Sequence, residues 1–212
     1  MWTDSAMYSV IRLVDAVESE RQEVLDILRG SDFRADRTLV QPTLPGVRNG
    51  GDILVHLQFS HRDTRSDAVA RLDDLLDREA VRHVNGATYH GQATPGADGD
   101  GTVYRALLLR VRPETSEATV RRFENDLRLL PRYVRTIHSW QLSQVEDAVG
   151  TSPWTHVFEQ EFTDVDGLMG PYLMHPIHWA YVDRWFDPEC PDIVVRDRVC
   201  HSFCRNDTAF DA

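Results

Sequence analysis

A chain of 212 residues with 42% hydrophobic and 27% charged side chains carries enough apolar material for one or two domains with their own cores. The net charge of −11 argues against a nucleic-acid surface, and all 23 basic side chains are arginine, which excludes a Schiff-base lysine and a Walker-type phosphate loop. No apolar run approaches the roughly 18–20 residues of a membrane span. The start of the chain lacks the pattern of a signal peptide, so a cytoplasmic location with no membrane partner is expected. Three cysteines, all near the C-terminus, do not make a disulfide framework.

In chain order, 8–14 reads as a strand, and 20–29 as a helix with Val24, Leu25 and Leu28 on one side. Strands follow at 38–42 and 52–60, the second with Ile53, Val55, Leu57 and Phe59 alternating. A helix over 66–78 turns Val69, Leu72, Leu75 and Leu76 inward, and a strand at 81–90 closes the first half. The turn-rich run from Gly91 to Gly101 is fit only for a loop, and it predicts domains at 1–92 and 102–212 joined by a linker at 93–101. The second half repeats the order. It has a strand at 103–111, a helix over 116–130, strands at 136–144 and 156–162, a helix over 166–186 and a strand at 193–203.

Each half is thus β-α-β-β-α-β, the ferredoxin-like order. The similar strands 52–59 and 155–162 support a repeated unit. Such a unit covers one sheet face with helices and leaves the other in need of a partner. The expected fold is therefore α+β, two ferredoxin-like repeats forming a barrel within one chain, as a monomer or a homodimer.

The chemistry concentrates between Tyr172 and Phe186. On a continuous helix, Leu168, Tyr172, His175, Trp179, Val182 and Phe186 form one stripe, which reads first as core. His178 lies about 120° from Tyr172 on a straight helix. Pro176 removes a donor and predicts a kink that swings His178 toward the sheet. His156 shares a strand face with Phe158, Gln160 and Phe162. A phenol, several imidazoles and aromatic walls suit acid–base work on an aromatic or enolisable substrate. No resident metal is expected, because the proline spoils the ligand spacing of His175 and His178 and no His-Glu-x-x-His pattern occurs. Cys200 and Cys204 share a strand face opposite His201 and lack CxxC spacing.

Trp154–Phe162, then Asp164–Leu168, then Tyr172-x-x-His175-Pro176-x-His178 resemble the Dabb family of stress-responsive dimeric α+β barrel domains. The second half is similar to the plant olivetolic acid cyclase of that family. The resemblance implies that Tyr172 and His178 form the acid–base pair, with histidines also standing at the positions of His156 and His175. The first half keeps the order of elements but has no His-Pro-x-His; a pocket there would use His56 and His61.

By length, duplication and arginine-only composition the whole chain is similar to the ring-cleaving oxygenases of atypical angucycline biosynthesis in GC-rich actinomycetes. That similarity implies an oxygenase opening a polycyclic aromatic polyketide quinone with O₂. No cofactor would be tightly bound, and reduced flavin would come from a separate reductase. In this reading the residues come from the Dabb resemblance and the aromatic pattern, not from those oxygenases: Tyr172, His178 and His156 would be catalytic, with His175, Trp179, Trp185, Phe158, Trp140, His56 and His61 against the substrate. A cofactor-free cyclase and a non-catalytic stress protein are the alternatives.

Overall fold

The first half of the computed structural model has the predicted order of elements. The structure describes residues 6–97, 99–196 and 199–207. Strand β1 (Met7–Ala16) leads to α1 (Arg21–Arg29), β2 (Arg37–Pro42), β3 (Ile53–Phe59), α2 (Arg62–Leu76) and β4 (Val81–Gly91). Val24, Leu25 and Leu28 of α1 are buried as their spacing requires, while α2 buries Arg65, Ala68, Leu72 and Leu76 and leaves Val69 and Leu75 half-buried. A short β5 (Thr94–Pro95) pairs with Trp140 and Ser139, so the predicted linker is fastened to the sheet.

The second half comprises β6 (Val103–Leu109), α3 (Glu117–Leu127), α4 (Leu129–Tyr133), β7 (Ile137–Val149), β8 (His156–Phe162) and β9 (Cys200–Arg205). Ser116 caps α3 by accepting from the Thr119 N–H at 3.2 Å, which starts the helix where the sequence places it.

The sheet runs β2-β3-β1-β4-β7-β8-β6-β9, the same ferredoxin-like order in each half. β4 pairs with β7 where the halves join. On the far side the chain after β2 meets β9, through bridges Thr43–Cys204 and Arg48–His201, and nearly closes the barrel. The turn that brings Arg48 there holds Asn49 and Gly51 at φ of 50° and 73°. A Cβ on Gly51 would lie 2.7 Å from the Val14 amide nitrogen, so the backbone approach needs glycine.

Closure changes what alternation means. In a one-sided sheet alternate residues of β3 would face water, yet all seven are buried. Val55, Leu57 and Phe59 meet α1 and α2, while Leu54 and His56 point into the barrel. β8 does the same, with Phe158 and Phe162 toward the helices and Val157 and Glu159 toward the barrel.

Register makes the halves comparable residue by residue. Tyr8 pairs with Phe59 and Val10 with Leu57, as Val103 pairs with Phe162 and Arg105 with Gln160. Likewise Ile11 pairs with His56 as Ala106 pairs with Glu159.

Two predicted elements differ. The helix expected over 166–186 is a chain of short pieces: a turn at Val165–Gly167, π-helical turns at Leu168–Tyr172 and His178–Val182, and a 3₁₀ turn at Asp183–Trp185. Pro171 and Pro176 interrupt the i→i−4 ladder, and wide turns absorb the mismatch. The last strand starts at Cys200, not at 193; Ile193, Val194 and Val195 are buried without pairing as a strand, and 197–198 lie outside the described residues. Among the described residues no helix is long and apolar enough to cross a membrane.

Candidate active site

The broken segment 165–185 roofs the helix-side face of β6, β8 and β9. Its predicted stripe does not survive the kink: Leu168, Tyr172 and Val182 are buried, His175 and Phe186 are half-buried, and Trp179 is 61% exposed. Trp185 takes the core place instead. Its ring meets Phe123 edge-on, and its indole N–H donates to Asp126 Oδ2 at 2.9 Å. Arg184 reaches the same carboxylate oxygen at 2.5 Å, so Asp126 pins the end of the roof to α3.

The kink brings Tyr172 and His178 together. Their rings meet edge-to-face with centroids 5.1 Å apart, and His178 Nδ1 lies 3.1 Å from Asp183 Oδ1. Burial pushes the His178 imidazole below its ordinary pKa; Asp183 opposes this shift and Arg105 adds to it. The imidazole is therefore neutral near pH 7, with Nδ1–H directed to Asp183 and Nε2 left as a base. Burial raises the Tyr172 phenol, with Arg105 pulling the other way, so Tyr172 holds its proton.

Arg105, which carries no sequence motif, lies beneath this pair. It is 5% exposed, donates from Nη1 to the Tyr172 hydroxyl at 3.1 Å and to Gln160 Oε1, and stacks its guanidinium 5.0 Å from the Tyr172 ring centroid. His201 is on the neighbouring strand of the same face. Burial, reinforced by Arg105, Arg48 and His178, pushes it down to about 3, so it is neutral. The signal for this cluster in sequence was the arginine inside an otherwise apolar strand, Val103–Leu109.

The other predicted residues are placed elsewhere. His156 is on the helix-side face but bonds to Glu124 Oε1 at 3.2 Å and to Thr155, with its ring edge-on to Phe123. It is four residues along β8 from Gln160, about 13 Å away, so the structure does not bring it to Tyr172. Phe158 is fully buried in the core and meets the half-buried Trp140 edge-on. His175 Nδ1 accepts from the Ile177 N–H at 3.2 Å, which stabilises the turn before the second half of the roof. His61 is exposed at the N-terminus of α2.

His56, the other first-half candidate, points into the barrel and not toward the helices. It lies 3.0 Å from Glu159 Oε1 and stacks on Tyr104, with centroids 5.0 Å apart and planes at 14°. Tyr104 donates to the same carboxyl oxygen at 2.5 Å. Burial raises Glu159 to about 7 and holds His56 well below its ordinary value. These residues come from both halves and tie them together at the barrel centre. A cavity of about 20 Å³ beside them, bounded in part by Arg37, Gln141 and Glu159, has room for about one water.

The fold recurs among solved structures. An anthrone oxidase-like protein is similar over 100% of this chain and 99% of its own, at 9% identity and a TM-score of 0.64. A monooxygenase candidate from Lactobacillus acidophilus NCFM is similar over 97% and 99%, at 11% identity and 0.55. Chlorite dismutase from Candidatus Nitrospira defluvii is similar over 95% and 92%, at 10% identity and 0.55. At such identities the likeness shows the fold, which hosts different chemistries. No curated protein matches the chain in sequence. The family model of the Stress responsive A/B Barrel Domain, Dabb, matches residues 103–200, the half of the chain that carries Tyr172, His178 and Arg105.

Proposed function

We propose that the protein is an oxygenase acting on an electron-rich polycyclic phenol or hydroquinone, and that its second half carries the reaction. The observation that carries this reading is the hydrogen-bonded series Asp183–His178 beside Tyr172–Arg105 under one roof. Asp183 fixes the imidazole tautomer, and His178 Nε2 removes a proton from a phenol or an acidic ring carbon. Tyr172 keeps its own proton and donates to the oxygen on which charge develops. The resulting carbanion forms a C–O bond with O₂. Two electrons and two protons reduce the second oxygen atom to water. Reduced flavin from a separate reductase supplies the electrons, with no flavin resident in the protein.

The fold likeness to an anthrone oxidase-like protein over the whole chain supports an oxidative reading. Within this proposal, the finer assignment is cleavage of a C–C bond in an angucycline-type antibiotic precursor. There the ring-carbon peroxide adds to the neighbouring carbonyl instead of being reduced, and its O–O bond and the C–C bond break together to leave a ketone and a carboxylate that keep both oxygen atoms. A cofactor-free cyclase is the second reading. It is favoured by the Tyr172–His178 pair, which needs only a carbonyl to polarise and a proton to remove.

The test is incubation of the full chain with an anthrone or a tetracyclic angucyclinone, NADH and a flavin reductase, with oxygen uptake and products followed together. Uptake matched to product, and lost in the Tyr172→Phe, His178→Ala double variant, is the expected result. Turnover under strict anaerobiosis sinks the oxygenase and leaves the cyclase. No turnover of either polycycle in air sinks the oxygenase, and no anaerobic ring closure of a linear poly-β-ketone sinks the cyclase.

A further inference from the structure

Arg105 is a buried cation without a carboxylate partner among the described residues. Its hydrogen-bond acceptors are the neutral Gln160 side chain and the Tyr172 hydroxyl, and its Nε is buried with no partner. Two more buried polar atoms beside it are also unmatched, Gln160 Nε2 and His201 Nε2. A desolvated guanidinium costs several kcal/mol unless an opposite charge compensates it, and each orphaned polar atom adds to the cost.

The fold does not require this arrangement. At the equivalent register of the first half the pair is Val10 and Leu57, both fully buried in an apolar core. The same sheet position under the same kind of helical cover is thus satisfied by aliphatic side chains in one half and occupied by an arginine–glutamine pair in the other. Packing explains the first pair and leaves the second unexplained.

We propose that Arg105 and Gln160, with the Tyr172 hydroxyl, form a pocket for an oxygen anion conjugated to an aromatic ring. The protein would then hold its substrate in the ionised form, a phenolate or an enolate of a hydroxyquinone, whether it binds so or loses its proton to His178. Arg105 supplies the charge and a planar fork matched to such an oxygen, and Gln160 Nε2 supplies a further donor. Entry is from the His178–Asp183 side, where the two side chains are 19% and 49% exposed. Arg105, Gln160 and Tyr172 are each 5% exposed or less, so admission of a ring requires the roof to part from β6 and β8.

This inference rests on the oxygenase reading for the identity of the reaction, and its test does not need turnover. Binding of 2-hydroxy-1,4-naphthoquinone, a vinylogous acid that is anionic near neutral pH, is compared with binding of its neutral 2-methoxy ether by titration calorimetry. The wild-type chain is expected to prefer the anion by about tenfold or more, the range of one charge-assisted hydrogen bond. Arg105→Gln abolishes that preference, and Arg105→Lys keeps part of it. Gln160→Leu, which restores the first half's aliphatic residue, reduces it and serves as the decisive variant if Arg105→Gln does not fold. Equal wild-type affinity for the two probes overturns the proposal, as does a preference that is undiminished in Arg105→Gln or, where that variant does not fold, undiminished in Gln160→Leu. Anion preference without oxygen uptake leaves this site standing and sinks the oxygenase, whereas uptake without anion preference does the reverse.

Discussion

Replacement of Glu159 by glutamine tests the barrel centre quantitatively. In the native state Glu159 is raised to about 7 and His56 is held neutral, so the pair retains one proton up to about pH 7. In the unfolded chain the carboxyl titrates near 4.5 and the imidazole near 6.5. Between pH 4.5 and 6.5 both states therefore hold one proton on the pair, and wild-type stability is flat there for these two groups. For the glutamine variant only His56 counts. Its unfolded state binds the extra proton below pH 6.5, so its stability rises as pH increases toward that value.

Glutamine keeps an acceptor for Tyr104 and removes the cost of ionising a buried carboxyl. That cost is the gap between 4.5 and about 7 at 1.36 kcal/mol per pH unit, about 3 kcal/mol as an order of magnitude. Urea denaturation at pH 5 and pH 8 should thus show the variant gaining about 3 kcal/mol on wild type across that interval, about 6–12 °C in Tm for a chain this size. A gap between the two proteins that is the same at both pH values refutes the reasoning. It would mean that Glu159 is ionised in the native state throughout.

Three further outcomes are expected. The rate of any reaction that uses His178 as base should fall with acid below a midpoint under 6.5, because burial lowers that imidazole; Asp183→Asn removes the opposing charge, so the midpoint should move lower still and kcat should drop by roughly 10²–10⁴-fold. A pH profile that is unchanged in Asp183→Asn contradicts the pairing. Asp126→Ala leaves the buried Trp185 N–H and Arg184 without their acceptor and should cost about 1–3 kcal/mol, read by urea denaturation with a change in tryptophan emission near the roof; unaltered stability and emission would show that the roof is not pinned there. Alanine at Gly150, where φ is 103° and a Cβ would lie 2.3 Å from Asn85 Oδ1, should destabilise the turn after β7, and an unchanged Tm would argue against the strain.

Much of the architecture was legible in local pattern. The alternation of Ile53, Val55, Leu57 and Phe59 and the stripes of α1 and α3 fixed element types, because burial on one face imposes a period of two or of 3.6. The repeat of that order in both halves announced the ferredoxin-like units, and their uncovered faces announced the barrel. Pro176 announced the kink, and with it the approach of His178 to Tyr172.

What periodicity could not supply was the second face of each strand. His56 and Glu159 stand 103 positions apart and meet only because the barrel closes, so no spacing in the chain relates them. Nor could spacing show that wide turns would turn Trp179 outward and Trp185 inward, since that depends on how far the prolines unwind the roof. Arg105 is the clearest case. In sequence it is one of many arginines; in the structure it is a cation sealed under Tyr172 at a register where the other half carries Val10. Local pattern along the chain set which segments could be strands or helices and which residues had chemistry to offer. Which of them share a dry site was set by the folding of the chain into a barrel, because desolvation, and the charge balance it enforces, comes from neighbours that are distant along the chain.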